Sequence, residues 1–581
     1  SYFPNLNTIG SAPLSRPKSS WKARRDYNSE RVFIIRLSGE CANILSPLHP
    51  NRDRCRMPQQ YDVIFIGSGI GSLAAASLLS QWEDKRCLII EKHWQAGGYT
   101  HAFKRKKKFV WDVGLHYVGQ IAEGEQIRRV FDVITQKKLQ WNRMPDRFDK
   151  FVYPGPDGAV RQAHQPRTST VFDHRTGVEN YRADLEAMFP AEKDNIAGYF
   201  QDVDDVLVWF QRNEMGKNLP MLLKWLVPLI KKENPYALMT TRDYLAQRFD
   251  DEKLRAIVAS QWGDYGLPPS QSAFCIHAIL VNHFFNGAAY PVGSAEAIAE
   301  NIIPIIEAAG GKVITSHAVE EIIVENGKAT GVRVKNLRPA EGMPDIVSEL
   351  QAPIIISCAG AYNTYVKLLK TQETADFAQR IIDFNKRNPP VSHISVYLAL
   401  KDSPAKLGLK GENRWIYDSW NHEETFRRGT AWVAAGRPPM AYLSTPSLKD
   451  PKAEGHTAEI ISFAPYEEYI KWKEQPWHKR DEAYKALKEK AAQLLIAYVN
   501  ERVPGFADLV DFYEVSTPVT TEYMTSHDQG SIYGLACVPE RFDIDKSPWC
   551  QVHTPIKNLY LTGADSTSLG IAGAMMGGVA T

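Results

Sequence analysis

The clearest pattern in the chain is an apolar run at residues 61–66, followed by a glycine-rich turn at 67–72 and an apolar segment of small residues at 73–79. A short apolar run bounded by turn residues predicts a strand buried on both faces, and the following segment predicts a helix packed against it. Residues 86–90 predict a second strand, which ends at Glu91. The order of strand, helix and strand predicts a βαβ unit and an α/β fold with a Rossmann-like opening.

The glycine-rich turn has the spacing of a dinucleotide-binding fingerprint. Gly67 permits a tight turn, Gly69 lets the backbone approach a pyrophosphate, and the amides of the helix N-terminus face its negative charge. Gly71 lies within the turn, and Ser72 holds the third fingerprint position, where a small residue still permits close packing. Glu91 can accept hydrogen bonds from both hydroxyls of a ribose. The alternative is a glycine turn in an unrelated α/β protein. The strand, the helix and Glu91 at the end of the second strand have the spacing of a nucleotide-binding unit, so they favour a nucleotide.

A second pair of glycines favours FAD over NAD. Gly97 and Gly98 begin six residues after Glu91 and can admit a close approach to the pyrophosphate or to the isoalloxazine ring. NAD enzymes usually show nothing special at this place. The pair Gly310-Gly311 has the wrong spacing for a second fingerprint, so no separate NAD(P)H domain is predicted.

The C-terminal end repeats the signals of a cofactor site. Residues 558–562 predict a strand that runs into Gly563 and Asp565, and Asp565 is a candidate partner of ribityl or phosphate-adjacent groups. A helix is predicted from residue 570 onward, with Ile571 in its first turn and its positive end towards the flavin. Both ends of the chain therefore point to FAD.

Several motifs resemble one family across the chain from about residue 61 to the last residue. The motifs lie at residues 91–103, 111–119, 272–293, 308–313 and 559–578. They resemble the retinol saturase branch of the FAD-dependent carotenoid desaturase and isomerase superfamily, which also includes phytoene desaturase-like proteins and amine oxidases. The departures are Ser72 for the usual third glycine and Ser294 where a second glycine is usual.

The resemblance implies a Rossmann-like FAD-binding domain and a discontinuous α+β substrate domain. It assigns residues 58–120, 285–375 and 540–581 to the first domain, and residues 121–284 and 376–539 to the second. It also places Lys92 with the cofactor and the backbone of Val319 against the adenine. Because the chain stops at Thr581, early in the expected last helix, a trimmed C-terminus is expected.

The composition bears on which molecules the protein can bind and on the compartment in which it resides. The 581 residues are 44% hydrophobic, and 69 basic against 67 acidic residues give a net charge of +2, which offers no field for a nucleic acid. Seven cysteines without a CxxC pair suggest a reducing compartment, cytoplasmic or organellar, and no structural zinc. Residues 1–57 are rich in Arg and Ser and poor in acids, which fits either a transit segment or an extension without a fold of its own.

One apolar segment bears on membranes. Residues 219–230 begin at Leu219 and end at Ile230, and Lys231 and Lys232 follow them. The segment is too short to span a bilayer but suits a peripheral membrane contact, with lysines at headgroup level. The alternative is a buried helix kinked at Pro228.

The catalytic candidates come from the motifs expected beside the flavin. Reducing or shifting an unactivated double bond requires a proton donor near one carbon in addition to the hydride of a flavin. His116 is the first candidate, followed by Tyr117, Tyr290 and His283. Asp112 and His277 are further candidates. His277 and His283 lie six residues apart, on nearly opposite faces of a helix, so they are not expected to share one ligand. No metal is expected, and no GxSxG elbow supports a hydrolase.

The sequence thus predicts an FAD-dependent oxidoreductase that saturates, desaturates or isomerises double bonds in a long apolar polyene. Carotenoids, retinoids and polyunsaturated fatty acyl chains are the candidate substrates. Net reduction needs an external electron donor that the sequence does not identify. The alternatives are a redox-neutral double-bond isomerase and a flavin-bound lipid carrier without turnover.

Overall fold

The computed structural model describes residues 61–155, 169–219, 221–230, 233–339 and 347–581. The predicted leader at residues 1–57 lies outside the described residues. Among the described residues, no helix is both long and apolar enough to cross a membrane. The same part of the chain holds no cluster of three or more side chains suited to a metal ion.

A five-stranded parallel sheet forms the first layer. Its strands, in spatial order, are Lys312–Ile314, Cys87–Ile90, Val63–Ile66, Ile354–Ser357 and Leu559–Leu561. All four residues of the central strand Val63–Ile66 are buried, as its uninterrupted apolar sequence predicts. The order and the parallel pairing confirm the predicted Rossmann-like fold.

Helices cover one face of this sheet. The helix Ile70–Trp82, which follows the glycine turn, packs against both Glu296–Ala308 and Gly570–Ala580. On the opposite face lies a three-stranded antiparallel sheet of His317–Glu325, Lys328–Asn336 and Val347–Gln351. Its first hairpin turns at Asn326-Gly327, where both residues have positive φ, the conformation that Asn-Gly hairpin turns adopt.

A seven-stranded sheet lies in the second half of the fold. Its strands, in spatial order, are Val510–Ser516, His393–Leu400, His456–Phe463, Met440–Ser444, Asn413–Tyr417, Arg147–Pro154 and Ser169–Arg175. One face carries Val396, Ile460 and Leu443 and packs on the helix Glu482–Asn500. We call the other the inner face. It carries aromatic and titratable side chains, among them Glu459 and Trp415, and nearly all are buried.

The remaining elements connect these layers. A short three-stranded sheet comprises Val118–Gly119, Ala288–Pro291 and Trp141–Arg143, and a hairpin pairs Ala102–Arg105 with Phe109–Asp112. The other helices of eight residues or more are Gln126–Ile134, Val178–Met188, Lys193–Asn218, Thr241–Arg248, Glu252–Ala259, Phe274–Phe284, Ala375–Arg387 and Pro518–Thr525. Shorter ones are Val227–Ile230, His422–Arg428, Trp432–Ala435, Pro446–Lys449, Phe506–Leu509 and Pro539–Phe542.

The predicted division into two discontinuous domains stays a prediction. All strands of the parallel sheet fall in the segments assigned to the cofactor domain, and all strands of the seven-stranded sheet fall in those assigned to the substrate domain. The small sheet combines strands from both sets, and the described residues from 61 onward form one compact unit.

Candidate active site

The glycine turn closes around the N-terminus of the helix Ile70–Trp82. Gly69 precedes that helix without any side-chain cap, and the thiol of Cys358 is the protein group beside the amides of Gly71 and Ser72, where this motif binds an anion. A Cβ atom on Gly71 would lie 2.7 Å from the backbone N of Gly563, so only glycine permits this approach. Ser72 is fully buried at the third fingerprint position, which is consistent with a requirement for a small residue there.

The second glycine pair packs directly on the first turn. Gly97 donates its N–H to Ser68 Oγ at 2.9 Å, and a Cβ atom on Gly98 would lie 3.0 Å from the Cα of Gly69. Glu91 joins the two loops, because its Oε2 accepts from Ser68 N at 2.8 Å and from Ser68 Oγ at 2.6 Å. The structure therefore brings Gly67, Gly69, Glu91, Gly97 and Gly98 to the carboxyl edge of the parallel sheet, where α/β folds bind dinucleotides.

Other cofactor candidates also have protein partners, as Glu91 does through Ser68 and, at 2.7 Å, the backbone N–H of His93. Asp565 Oδ2 accepts from Ala361 N at 2.9 Å and its Oδ1 accepts from Leu535 N at 3.0 Å, while Arg541 lies 3.5 Å away. Lys92 Nζ donates to Ser526 Oγ at 2.5 Å. The assignment of both residues to the cofactor stays a prediction. So does that of two others: Val319, in the strand His317–Glu325, and Ile571, in the first turn of the last helix.

The first cluster of catalytic candidates surrounds His116. Its Nδ1 lies 3.0 Å from Oε2 of Glu459, a residue of the inner face. Oε1 of Glu459 accepts from the backbone N–H of Asp112 at 2.9 Å. The carboxylate of Asp112 in turn accepts from the hydroxyl of Tyr290 and, at 2.9 Å, from Ala295 N.

Lys449 connects this cluster to a second one. Its buried ammonium group donates to the backbone oxygen of His116 at 2.9 Å, to Ser444 Oγ at 2.8 Å and to Asn413 Oδ1 at 2.5 Å. Asn413 then donates to Asp149 Oδ1 at 3.0 Å. These hydrogen bonds thus connect the backbone of His116 to Asp149 through Lys449 and Asn413.

Tyr117 lies between two carboxyl groups in the second cluster, the buried Asp149 and the partly buried Asp264. Its hydroxyl is 3.0 Å from Asp149 Oδ2 and 2.8 Å from Asp264 Oδ2, and Gln261 donates to the same oxygen of Asp149 at 2.8 Å. A phenol has one proton to donate, so it cannot satisfy two carboxylates as a donor. The contact is satisfied when one carboxyl group is protonated and donates to the tyrosine oxygen.

Burial dominates the electrostatics of both clusters. It raises the pKa of Asp112 and of Asp149 to about 7, and the pKa of Glu459 to about 8. Burial and the nearby Asp149 raise the pKa of Asp264 to about 8. Burial lowers the pKa of His116 to about 3 and that of Lys449 to about 8. Desolvation disfavours each charged form, so His116 is neutral at physiological pH.

The inner face also carries buried polar atoms with no hydrogen-bond partner among the described residues. They include Tyr442 Oη, Trp415 Nε1, His393 Nδ1 and Ser395 Oγ. The ring of Tyr442 lies 5.2 Å from that of His116 and 4.6 Å from that of Trp415. Unpaired polar groups are costly in a native interior, so this surface is suited to a ligand or to bound water.

The structure links three of the four catalytic candidates. His116, Tyr117 and Tyr290 belong to the connected clusters. His283 instead accepts from the backbone N–H of Gly119 through Nε2, at 2.8 Å, and its catalytic assignment stays a prediction. His277 pairs with the hydroxyl of Tyr199 at 2.9 Å.

Sequence reasoning missed Glu459, Lys449, Asp149 and Asp264. The sequence does carry a signal for Glu459, because this charged residue lies within the otherwise mostly uncharged and buried strand His456–Phe463. Asp149 similarly lies among the aromatic residues of Arg147–Pro154. A charged side chain within a strand buried on both faces indicates a functional group or an internal ion pair.

Comparison with known proteins gives three kinds of similarity. Residues 66–134 match the family described as an NAD(P)-binding Rossmann-like domain. An all-trans-retinol 13,14-reductase from Danio rerio is 33% identical over 90% of this chain and 85% of its own length. A chloroplastic prolycopene isomerase from Arabidopsis thaliana is 25% identical over 82% of this chain and 74% of its own length. A solved structure of putrescine oxidase shares the fold with a TM-score of 0.54 and 15% identity, covering 89% of this chain and 97% of that one.

Proposed function

The chain belongs to the all-trans-retinol 13,14-reductase family, and on that premise we propose that it is an FAD-dependent oxidoreductase that saturates a carbon–carbon double bond of a long apolar polyene. Retinoids and carotenoids are the proposed substrates because they are named in the relatives. The observation that carries the proposal is the meeting of two glycine loops and Glu91 at the edge of the parallel sheet. This arrangement occurs in a chain similar to a retinol reductase over 90% of its length.

The geometry of the two loops fits FAD. The turn at Gly67, Gly69 and Gly71 would hold the pyrophosphate against uncapped amides, and Glu91 would hold the adenosine ribose. The contact of Gly98 with Gly69 leaves backbone, without side chains, facing the cofactor. When bound, FAD would supply a hydride to one carbon of the double bond.

The protein itself must provide the proton and the dry environment. His116 is the candidate that delivers the proton, since its side chain keeps 16% of its surface open although Glu459 and Tyr442 beside it are buried. We place the substrate at this accessible part of the imidazole. Tyr442 and Trp415 beside it would offer aromatic surface that suits a polyene.

A peripheral membrane contact is part of the proposal, because a long polyene dissolves poorly in water. In the segment at residues 219–230, Leu223 is 41% exposed, Trp225 is 68% exposed and Leu229 is 77% exposed. This exposure disfavours the buried-helix alternative. Exposed apolar and aromatic side chains followed by two lysines suit the boundary between headgroups and acyl chains.

Isomerisation without net reduction is the second candidate, favoured by the 25% identity to a prolycopene isomerase. The two functions differ in electron balance. Protein reduced anaerobically to its colourless flavin state is mixed with a polyene, and the visible flavin absorbance is followed. Saturation returns the oxidised absorbance in proportion to the polyene consumed, whereas isomerisation consumes polyene and leaves the flavin reduced.

A further inference from the structure

We propose that Glu459 supplies the proton that His116 delivers to the substrate, through the contact between Glu459 Oε2 and His116 Nδ1. Glu459 is then a positioning residue that acts through His116 and sets the tautomer of its imidazole. This inference rests on the proposed function for the delivery step only, because the state of the imidazole can be measured without turnover.

The two side chains meet at atoms that nothing else satisfies. Nδ1 of His116 and Oε2 of Glu459 lie 3.0 Å apart without the angles of a hydrogen bond, and neither atom has a hydrogen-bond partner among the described residues. The other oxygen of Glu459 is occupied by the N–H of Asp112. Two buried acceptors left in this way are costly, so a small rotation that places one proton between Oε2 and Nδ1 would satisfy both atoms.

The side on which that proton resides determines what His116 can do. If the proton belongs to Glu459, the carboxylic acid donates to Nδ1, and the imidazole carries its own proton on Nε2. If the proton belongs to Nδ1, Glu459 is a carboxylate and Nε2 is a bare acceptor. Only the first arrangement presents a proton donor on the edge opposite Glu459.

Burial favours the arrangement with the donor. The raised pKa of Glu459, about 8, keeps it protonated at neutral pH. The lowered pKa of His116, about 3, means that only about one molecule in ten thousand would carry an imidazolium at pH 7. A charged imidazolium is therefore a poor proton source here, and a neutral relay avoids forming it.

The relay balances in protons and electrons. The Nε2–H bond of His116 breaks as a C–H bond forms, while the O–H bond of Glu459 breaks as an Nδ1–H bond forms. The imidazole changes tautomer and stays neutral, and Glu459 is left as a carboxylate. The electron pair of the new C–H bond comes from the double bond, whose other carbon takes the hydride of the proposed reaction.

Lys449 is placed to stabilise the charge that the relay leaves on Glu459. Its ammonium group is fixed on the backbone oxygen of His116, and its attraction lowers the pKa of Glu459 against the effect of burial. The groups that face Glu459 from the elements packed around it are Asp112, His116, Tyr290, Tyr397, Tyr442 and Lys449. Among them Lys449 is the cation that favours the ionised form.

The first test is the tautomer of His116 by ¹⁵N NMR of histidine-labelled, flavin-loaded protein, with the signals assigned by their loss in His116→Gln. We expect a proton on Nε2 and none on Nδ1 at pH 6 to 7, and a switch to the opposite tautomer above about pH 8. In Glu459→Gln the switch is absent, and in the control Glu467→Gln, at an exposed glutamate, it is unchanged. An Nδ1–H tautomer or an imidazolium in wild-type protein at pH 6 overturns the proposal.

The second test is turnover with a polyene. Glu459→Gln keeps shape and hydrogen bonding but has no acidic proton, so we expect unchanged FAD content and KM, a fall in kcat of about 10² to 10⁴, and no loss of rate as the pH rises through 8. Glu459→Asp, which keeps the carboxyl group, is expected to recover part of the rate. Wild-type kcat in FAD-loaded Glu459→Gln overturns the proposal. A wild-type protein without turnover counts against the proposed function, and the NMR result still decides the role of Glu459.

Discussion

Gly98 lies against Gly69 so closely that a Cβ atom on Gly98 would stand 3.0 Å from the Cα of Gly69. Gly98 also has φ +56°, which costs an alanine about 1 to 2 kcal/mol. We expect Gly98→Ala to separate the two loops and to purify with a clearly lower flavin content, measured as the ratio of visible to protein absorbance. Gly124→Ala is the control, because its φ is +84° but its Cβ would meet nothing within 4 Å. Equal flavin content in the two variants would show that the contact between the loops does not shape the site.

Glu91 is predicted to hold the ribose of FAD. Glu91→Ala removes a charged acceptor, so we expect FAD affinity to fall by about 2 to 4 kcal/mol, with part of the loss arising from the freed Ser68. Titration of the apoprotein with FAD measures the affinity. Glu123→Ala, at an exposed position, should bind as the wild type does. Unchanged affinity in Glu91→Ala contradicts the assignment.

The exposed side chains of the segment 219–230 are predicted to bind membranes. The triple variant Leu223→Ser, Trp225→Gln and Leu229→Ser should no longer bind vesicles of phosphatidylcholine and phosphatidylserine in a flotation assay, while it keeps its flavin. Trp82→Gln, at a tryptophan that is 63% exposed elsewhere, is the control and should float with the wild type. If the triple variant floats as well as wild type, the segment is not the contact.

Asp264 should make stability depend on pH. Its raised pKa, about 8 against an ordinary 3.8, means that the folded protein holds a proton that the unfolded chain releases over this range. The free energy of unfolding contributed by Asp264 therefore falls as the pH rises from about 4 to 8. We expect Tm to fall less steeply between pH 5 and 8 in Asp264→Asn than in wild type. The exposed Asp376→Asn should keep the wild-type slope, and identical slopes for all three proteins would contradict the buried protonated state.

Local spacing explains why the cofactor half of the site was predictable. Gly67, Gly69 and Glu91 lie within one βαβ unit, so a single stretch of sequence carries both the residues and their geometry. The hairpin at Asn326-Gly327 depends on an equally local signal, because Asn-Gly favours a tight turn between two strands.

The proton-handling half depends on contacts between distant parts of the chain. Lys449 binds the backbone oxygen of His116 across 333 residues, and no spacing rule relates the two. The pairing of Tyr117 with Asp264 crosses 147 residues. The sequence identified His116 and Tyr117 through family motifs, but only the packed sheet reveals which carboxyl groups they meet.

The mass of the product tests the central claim most directly. Purified, flavin-loaded protein is reduced under anaerobic conditions, incubated with all-trans-retinol or a carotenoid, and the products are analysed by mass spectrometry. The account predicts a product heavier than the substrate by two hydrogen atoms, formed in an amount matched to the flavin oxidised. A product of unchanged mass would identify an isomerase, and recovery of unaltered polyene from well-folded, FAD-loaded protein across both substrate classes would contradict the proposed function.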